Sequence, residues 1–101
     1  MTLLGCLTTL KMKIEYDPAK RSRTVSERGL DFDSAIDVFA GPTYSFPDRR
    51  FNYGEPRMVT VGMLEYRWIV VVWTNRGDVR RIISMRYANE REIAKYSPRV
   101  G

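Results

Sequence analysis

Histidine is absent from this 101-residue chain, and cysteine occurs once, at Cys6. With no imidazole and a single thiol, the chain cannot form an intrachain disulfide, a His/Cys zinc site or a histidine-dependent catalytic triad. A single cysteine fits a reducing cytosol. Residues 1–10 are mostly apolar, but they are too short to span a membrane and have no positively charged start of the kind that signal peptides carry. We expect a cytoplasmic protein with no metal or other cofactor and no membrane partner.

The length allows one small domain, and a composition of 44% hydrophobic and 29% charged residues is typical of a globular chain. A regular strand pattern begins only at Met12, so we predict a single domain over residues 12–101. Residues 1–11 are interpreted as an extension. They fit a start codon assigned too early, an ordered extra segment of little function, or a strand packed at the domain edge, and they fit a signal peptide poorly.

The basic side chains are unevenly distributed, and they are mostly arginine, with 13 Arg against 4 Lys. Residues 1–47 carry equal numbers of acidic and basic side chains, so the whole net charge of +5 lies in residues 48–101. This asymmetry indicates an anionic partner for the C-terminal half, which could be RNA, DNA or an acidic protein surface. A solvated basic face is the alternative.

Periodicity and capping signals predict an α+β fold with the order β-α-α-β-β-β-α, a twisted antiparallel sheet with helices packed on one face. The stretch from Thr43 to Pro56 is predicted as a loop with a short extended piece around 44–46. The predicted elements are a strand over 12–16, helices over 17–28, 31–39 and 89–96, and meander strands over 57–63, 68–73 and 79–86.

Charged residues cluster at the entrance to the meander and on its last strand. Alternation along residues 79–86 puts Arg81 beside Ile83 and Met85, on the face opposite Arg86. A guanidinium among apolar neighbours needs a partner, and the candidates are Glu55 and Asp48. Arg81 therefore has two interpretations, a structural ion pair or a catalytic cation.

Tyrosine and tryptophan side chains interleave with the basic residues of the C-terminal half. Aromatic rings can stack on unpaired bases, and Tyr53 and Tyr87 are the best placed to do so. In a sheet protein such rings more often pack against neighbouring strands.

Several short sequence pieces occur in a recognisable order between Met12 and about Tyr96. These are Tyr16-Asp17-Pro18-Ala19-Lys20; Gly29, Leu30, Phe32, Ala35 and Phe39; Asp48, Arg50, Tyr53, Gly54, Glu55 and Arg57; Val79, Arg81, Ile82, Ile83, Ser84, Arg86 and Ala88; and Glu92 and Tyr96. On these residues the chain resembles the BrnT family of type II toxin–antitoxin ribonucleases.

The resemblance implies a RelE-like fold and a toxin that stops translation by cleaving RNA. It also implies a BrnA-like antitoxin with a ribbon-helix-helix end, a toxin–antitoxin heterotetramer, and DNA binding only through that complex. The catalytic residues implied are Arg57, Arg81 and Arg86, with Glu55 orienting them. The substrate-binding residues implied are Arg28, Asp48, Arg50, Tyr53 and Tyr87, and no metal site is expected.

The chain departs from the family pattern at two of these positions. The family usually reads Lys-His-Gly after the first helix, where this chain has Glu27-Arg28-Gly29, and Tyr87 replaces a lysine. Arg28 cannot give up its proton near neutral pH, unlike an imidazole. Two main functions follow: an RNA-cleaving toxin that works without a metal, or a degenerate member that only binds its antitoxin and regulates the operon. A DNA-binding repressor acting alone is a weaker third alternative, because the sequence shows no recognition helix with a basic face.

Overall fold

The chain folds into one five-stranded sheet with helices, in a computed structural model that describes residues 12–50, 52 and 54–101. Within these residues there are three α-helices and two 3₁₀ turns. The elements in order are β1 (Lys13–Tyr16), α1 (Pro18–Arg28), a 3₁₀ turn (Phe32–Ser34), α2 (Ala35–Ala40), β2 (Thr43–Pro47), β3 (Met58–Leu64), β4 (Arg67–Arg76), β5 (Val79–Tyr87), α3 (Glu90–Tyr96) and a 3₁₀ turn (Ser97–Arg99).

The predicted α+β class is confirmed, whereas the purely antiparallel sheet with a single strand before the meander is wrong. The prediction that the helices pack on one face is also wrong, because α3 packs on the face opposite α2, where Tyr96 contacts the valines of the smaller core. The sheet order is β1-β5-β4-β3-β2, and β1 runs parallel to β5. The segment predicted as a loop contains β2, which pairs antiparallel with β3 as an edge strand that ends at Pro47. Local patterns cannot show the parallel pair, because β1 and β5 are separated by most of the chain.

The helix ends follow the sequence signals closely. Asp17 accepts a hydrogen bond from Ala19 N (2.9 Å), and α1 ends at Gly29 in the left-handed region. The predicted capping box of α3 is confirmed, since Asn89 and Glu92 exchange side-chain to backbone hydrogen bonds. The predicted second helix is split: its first turn is 3₁₀, and the α-helix begins only at Ala35. Among the residues placed by the structure, no helix is long and apolar enough to cross a membrane.

Strand β4 is the centre of the molecule and is buried from both sides, as its run of β-branched and aromatic residues predicts. On one face, here called the helix face, α2 and the 3₁₀ turn before it lie over the sheet, whereas α1 has no buried residue. The core of this face comprises Leu30, Phe32, Ala35, Val38, Ile69, Val71, Trp73, Ile82 and Met85. The opposite face carries a smaller core of Val59, Val61, Val70 and Val72, against which Phe46, Trp68, Ile83, Ala88 and Tyr96 pack.

Candidate functional site

A β-bulge in β5 decides which arginines share a face. Val72 pairs with Ser84 and Trp73 pairs with Ile82, so Ile83 is the extra residue between them. As a result, Ile82 and Met85 both pack on the helix face, although residues three apart on a regular strand would point to opposite faces. The predicted alternation, with Arg81 beside Met85 and opposite Arg86, is therefore wrong.

The bulge puts Arg81 and Arg86 on the same side of the sheet, opposite α2. Arg86 pairs with Val70, which belongs to the smaller core of that side. Arg57 precedes Met58, whose side chain packs against the helix-face core, so alternation turns Arg57 to the same side as Arg86. This side is called the arginine face below. It carries the three arginines that the resemblance implies to be catalytic.

A cleft of about 180 Å³ opens on the arginine face between β2, β5 and α3. Buried valines form its floor, and the stacked rings of Phe46 and Tyr96, with centroids 4.8 Å apart, form one wall. Polar side chains surround its mouth. The lining residues are Phe46, Pro47, Asp48, Arg49, Arg50, Val59, Val70, Val72, Arg86, Glu92 and Tyr96. An apolar floor with convergent charged groups suits a planar ligand that also carries negative charge.

Arg86 is held at the cleft by a two-pronged ion pair with Glu92. Its Nη1 and Nη2 donate to the two carboxylate oxygens, each at 2.7 Å. The hydrogen bonds to Arg86 lower the pKa of Glu92, and the same bonds raise the pKa of Arg86. Glu92 therefore stays ionised and is a poor proton acceptor. The pair uses two of the five guanidinium N–H groups, so Arg86 keeps donors for a phosphate oxygen.

Asp48 and Arg50 form a second two-pronged pair at the same mouth. Arg50 Nε and Nη2 each donate to Asp48 at 2.9 Å. The Asp48 side chain is only 2% exposed, whereas that of Arg50 is 62% exposed. The backbone N–H of Asp48 donates to the carbonyl of Arg57 (2.8 Å) and ties the loop to β3. Asp48 thus anchors the loop, and Arg50 presents charge to solvent.

Glu55 lies between two arginines beside this loop. Its carboxylate is 3.6 Å from Arg57 Nε and 3.2 Å from Arg76 Nη2. Thr74 Oγ1 donates to the carbonyl of Pro56 (2.5 Å) and fixes the same stretch of backbone onto β4. The carboxylate of Glu55 is therefore placed to orient both guanidiniums.

Arg81 has a different partner from those predicted. Its Nη1 donates to Glu15 on β1 (2.8 Å), and neither Glu55 nor Asp48 fills this place. The cause is the parallel register, which sets Glu15 directly beside Arg81. Arg81 lies opposite Thr74 and Arg86 opposite Val70 on β4. Four strand residues span about 13 Å, so the two guanidiniums are placed for different phosphates along a strand and not for the same one.

Two of the predicted substrate-binding residues lie away from the cleft. Arg28 Nη1 donates to the carbonyl of Met85 (2.8 Å), on the part of β5 that extends beyond β1. Tyr87 packs against the helix-face core and is covered by the guanidinium of Arg67, 3.9 Å from the ring centroid. It therefore faces away from Arg86. Tyr53 lies outside the described residues.

Sequence reasoning did not assign Glu92, Tyr96 or Glu15 to the site. Glu92 had a recognised role as a helix cap, but its second role as the partner of Arg86 depends on how α3 packs against β5. Glu15 is brought in by the β1–β5 pairing, which has no local signal. Within the described part of the chain, no group of three or more His, Cys, Asp or Glu side chains is arranged to hold a metal ion.

The arginines of the site lie within the part of the chain that matches a known family. A sequence profile described as "Ribonuclease toxin, BrnT, of type II toxin-antitoxin system" matches residues 16–92, which include every catalytic and substrate-binding residue predicted from the sequence, but not Glu15 or Tyr96. A search of curated proteins found no match. Because the matched region covers most of the chain, the protein belongs to the BrnT family of ribonuclease toxins of type II toxin–antitoxin systems.

Proposed function

We propose that the chain is an endoribonuclease toxin that acts in the cytoplasm without a metal ion and stops translation by cleaving RNA. The observation that carries the proposal is the bulge at Ile83, because it brings Arg81 and Arg86 onto one face with Arg57. Arginine forks match phosphate oxygens, and several of them along one sheet face suit an extended phosphate backbone.

In the proposed reaction the RNA supplies its own nucleophile. The 2′-oxygen forms a bond to the neighbouring phosphorus, and the bond from phosphorus to the 5′-oxygen breaks. The products are a 2′,3′-cyclic phosphate and a 5′-hydroxyl, with one proton lost from the 2′-hydroxyl and one gained by the leaving oxygen. The protein aligns the strand and stabilises the negative charge that develops on phosphorus, which is often the largest catalytic contribution.

The side-chain contacts assign a role to each arginine in this scheme. Arg86, fixed by Glu92 at the cleft, contacts the reacting phosphate with its remaining donors. Arg57, oriented by Glu55, lies just before β3, and Arg81, held by Glu15, lies on β5. The two are on either side of β4, about 10 Å apart, and contact other phosphates of the RNA. Arg50 adds charge at the mouth of the cleft.

The partner of such a toxin is an antitoxin, as membership of a type II family implies. The finer details are part of the proposal: the antitoxin is BrnA-like with a ribbon-helix-helix end, the two proteins form a heterotetramer, and the complex contacts DNA only through the antitoxin. A RelE-like relationship for the fold is likewise proposed. The mixed sheet, with α2 packed on one face and α3 on the other, is compatible with it.

A second candidate function is a catalytically degenerate member that binds its antitoxin and regulates the operon. One observation favours it: Arg28, at the position where the family usually carries histidine, is engaged by the backbone of β5 and cannot act as an acid or base there. Glu92, with its lowered pKa, is also a poor base.

Single-turnover cleavage of an RNA substrate distinguishes the two candidates. Arg86→Ala is expected to slow cleavage at least ~10²-fold, the scale of losing one preorganised donor. Arg91→Ala is the matched control, because Arg91 is an exposed arginine on α3 outside the cleft. Circular dichroism must show that both variants are folded. If Arg86→Ala cleaves like the wild type, Arg86 has no catalytic role.

If the folded wild type cleaves nothing while Arg28→His gains activity, the degenerate candidate is correct. Binding of a fully 2′-O-methylated RNA, which cannot be cleaved by this route, tests the phosphate contacts separately. Its affinity should fall steeply as salt rises, because phosphate contacts release counterions. An affinity that does not change with salt would contradict binding through the backbone.

A further inference from the structure

The hairpin that joins β3 and β4 has an unusual tip. Leu64 pairs with Arg67, so the loop consists only of Glu65 and Tyr66, with φ values of 50° and 66°. Such a loop favours asparagine, aspartate or glycine, because a bulky side chain is strained in the left-handed region. Tyr66 is nevertheless at this position and is 96% exposed, so packing within the described residues does not explain its presence.

The surroundings of Tyr66 combine aromatic rings with positive charge. A shallow hollow of about 230 Å³ is lined by Tyr66, Arg67, Trp68, Tyr87, Ala88 and Ile93. Its rim carries the guanidinium of Arg67, which is stacked on the ring of Tyr87. Exposed aromatic rings beside an arginine can form a platform on which an unpaired base stacks.

The tip also lies in line with the arginines of the site. On β4, Thr74 lies opposite Arg81 and Val70 lies opposite Arg86. Tyr66 is four residues beyond Val70, which places it about 13 Å further along the same direction. The backbone N–H of Ala88 donates to the carbonyl of Trp68 (2.9 Å), so β5 continues beside β4 toward the tip. A nucleic acid strand that follows the arginines along β4 and β5 reaches Tyr66.

We propose that Tyr66 is a stacking platform for an unpaired RNA base on the side of Arg86 away from Arg81. The inference rests on the proposed function, since it extends the RNA path of the arginine face. An RNA base is preferred to an apolar protein segment because the line of approach is arginine-rich and the hollow itself carries Arg67. The strain at Tyr66 is then the cost of holding an aromatic ring fully accessible.

The test compares two substitutions at the same strained loop. Tyr66→Asn removes the ring and relieves the strain, whereas Glu65→Asp relieves strain at the neighbouring position and keeps the charge. Both variants should raise the melting temperature by several degrees. Only Tyr66→Asn should weaken binding of a fully 2′-O-methylated RNA, by about tenfold, as expected for one lost stacking contact. Tyr66→Phe, which keeps the ring, should bind like the wild type.

The salt dependence of binding and the effect of an abasic nucleotide distinguish stacking from phosphate binding. Tyr66→Asn should reduce affinity by the same factor at every salt concentration, whereas Arg86→Ala should make affinity less dependent on salt. An abasic nucleotide at the stacking position should weaken the wild type and leave Tyr66→Asn unaffected.

The outcomes distinguish this inference from the proposed function. If the wild type and Glu65→Asp bind RNA with salt dependence while Tyr66→Asn binds equally well, the inference about Tyr66 is wrong. Phosphate binding by the arginine face would then still be supported. A loss confined to binding of a protein partner would also overturn it. If the wild type binds no RNA, the proposed function and this inference both fail.

Discussion

The ion pair between Arg86 and Glu92 can be tested by one nearly isosteric substitution, Glu92→Gln. A glutamine keeps the side-chain oxygen that accepts from Asn89 N, so the capping box survives. What is lost is the charge that faces Arg86 across two hydrogen bonds of 2.7 Å. The substitution therefore isolates the ion pair from the helix cap.

The expected loss follows from the exposure of the pair. The side chains of Arg86 and Glu92 are 35% and 20% exposed, so solvent screens part of their attraction. Two-pronged geometry places the pair at the upper end of the range for exposed pairs, at about 1 kcal/mol. For a domain of this size that corresponds to a fall in melting temperature of about 4–8 °C.

The pH dependence gives the sharper test. Arg86 lowers the pKa of Glu92 in the folded protein, so the pair contributes stability above the ordinary glutamate pKa. That contribution is lost as the pH falls through the lowered pKa, where protonated Glu92 resembles glutamine. Urea unfolding of the wild type and of Glu92→Gln should therefore differ at neutral pH and converge in acid. A difference that stays constant across this range would refute the ion-pair explanation.

Three further changes test the fold. Gly62→Ala should lower the free energy of unfolding in urea by about 1–3 kcal/mol, because the added Cβ would lie 2.9 Å from Val38 Cγ1. An unchanged free energy of unfolding would mean that α2 can shift away from the sheet at little cost. Thr60→Val should also lower the free energy of unfolding by about 1–3 kcal/mol, because it removes the hydroxyl that accepts from the buried Trp73 Nε1 (2.8 Å). An unchanged stability would mean that another acceptor replaces the hydroxyl. A chain beginning at Met12 should melt within a few degrees of the full chain by circular dichroism, and a fall near 10 °C would mean that residues 1–11 pack against the domain.

Local signals predicted the helices and the meander well. The Asp17 and Asn89 caps and the buried run of β4 depend on residues that are close in sequence, and all three are confirmed. The parallel β1–β5 pair was missed, because it joins distant segments. The β2 edge strand was missed because only five residues form it, and their pairing with β3 decides their conformation.

The site was predicted in its residue types but not in its contacts. The sequence drew attention to Arg57, Arg81 and Arg86, and the expectation of two opposite faces was wrong because one extra residue at the bulge reverses the alternation after Ile83. A bulge has no reliable signal in a single sequence when its residues are β-branched. The partner of Arg81 was assigned to the wrong carboxylate for a different reason: the parallel β1–β5 register, which has no local signal, sets Glu15 beside it.

Five arginines of this face are paired with four carboxylates, so most of their positive charge is balanced locally. The pairs are Arg86 with Glu92, Arg50 with Asp48, Arg57 and Arg76 with Glu55, and Arg81 with Glu15. The local excess of charge is consequently smaller than the number of arginines suggests. The carboxylates fix the direction in which the remaining N–H donors point, so orientation contributes more to phosphate recognition than bulk charge does.

This pairing has a measurable consequence for RNA binding. Each arginine that approaches a phosphate already has a carboxylate partner, so it neutralises less phosphate charge. Binding therefore releases fewer of the counterions condensed on the RNA than the count of arginines implies. The salt dependence of binding should therefore be shallower in the wild type than in Glu92→Gln, in which Arg86 has lost its anionic partner. At the same time Glu92→Gln should cleave more slowly, because the guanidinium of Arg86 is no longer fixed. Tighter, more salt-sensitive binding combined with slower cleavage would separate orientation from charge, and faster cleavage would show that Glu92 restrains the reaction.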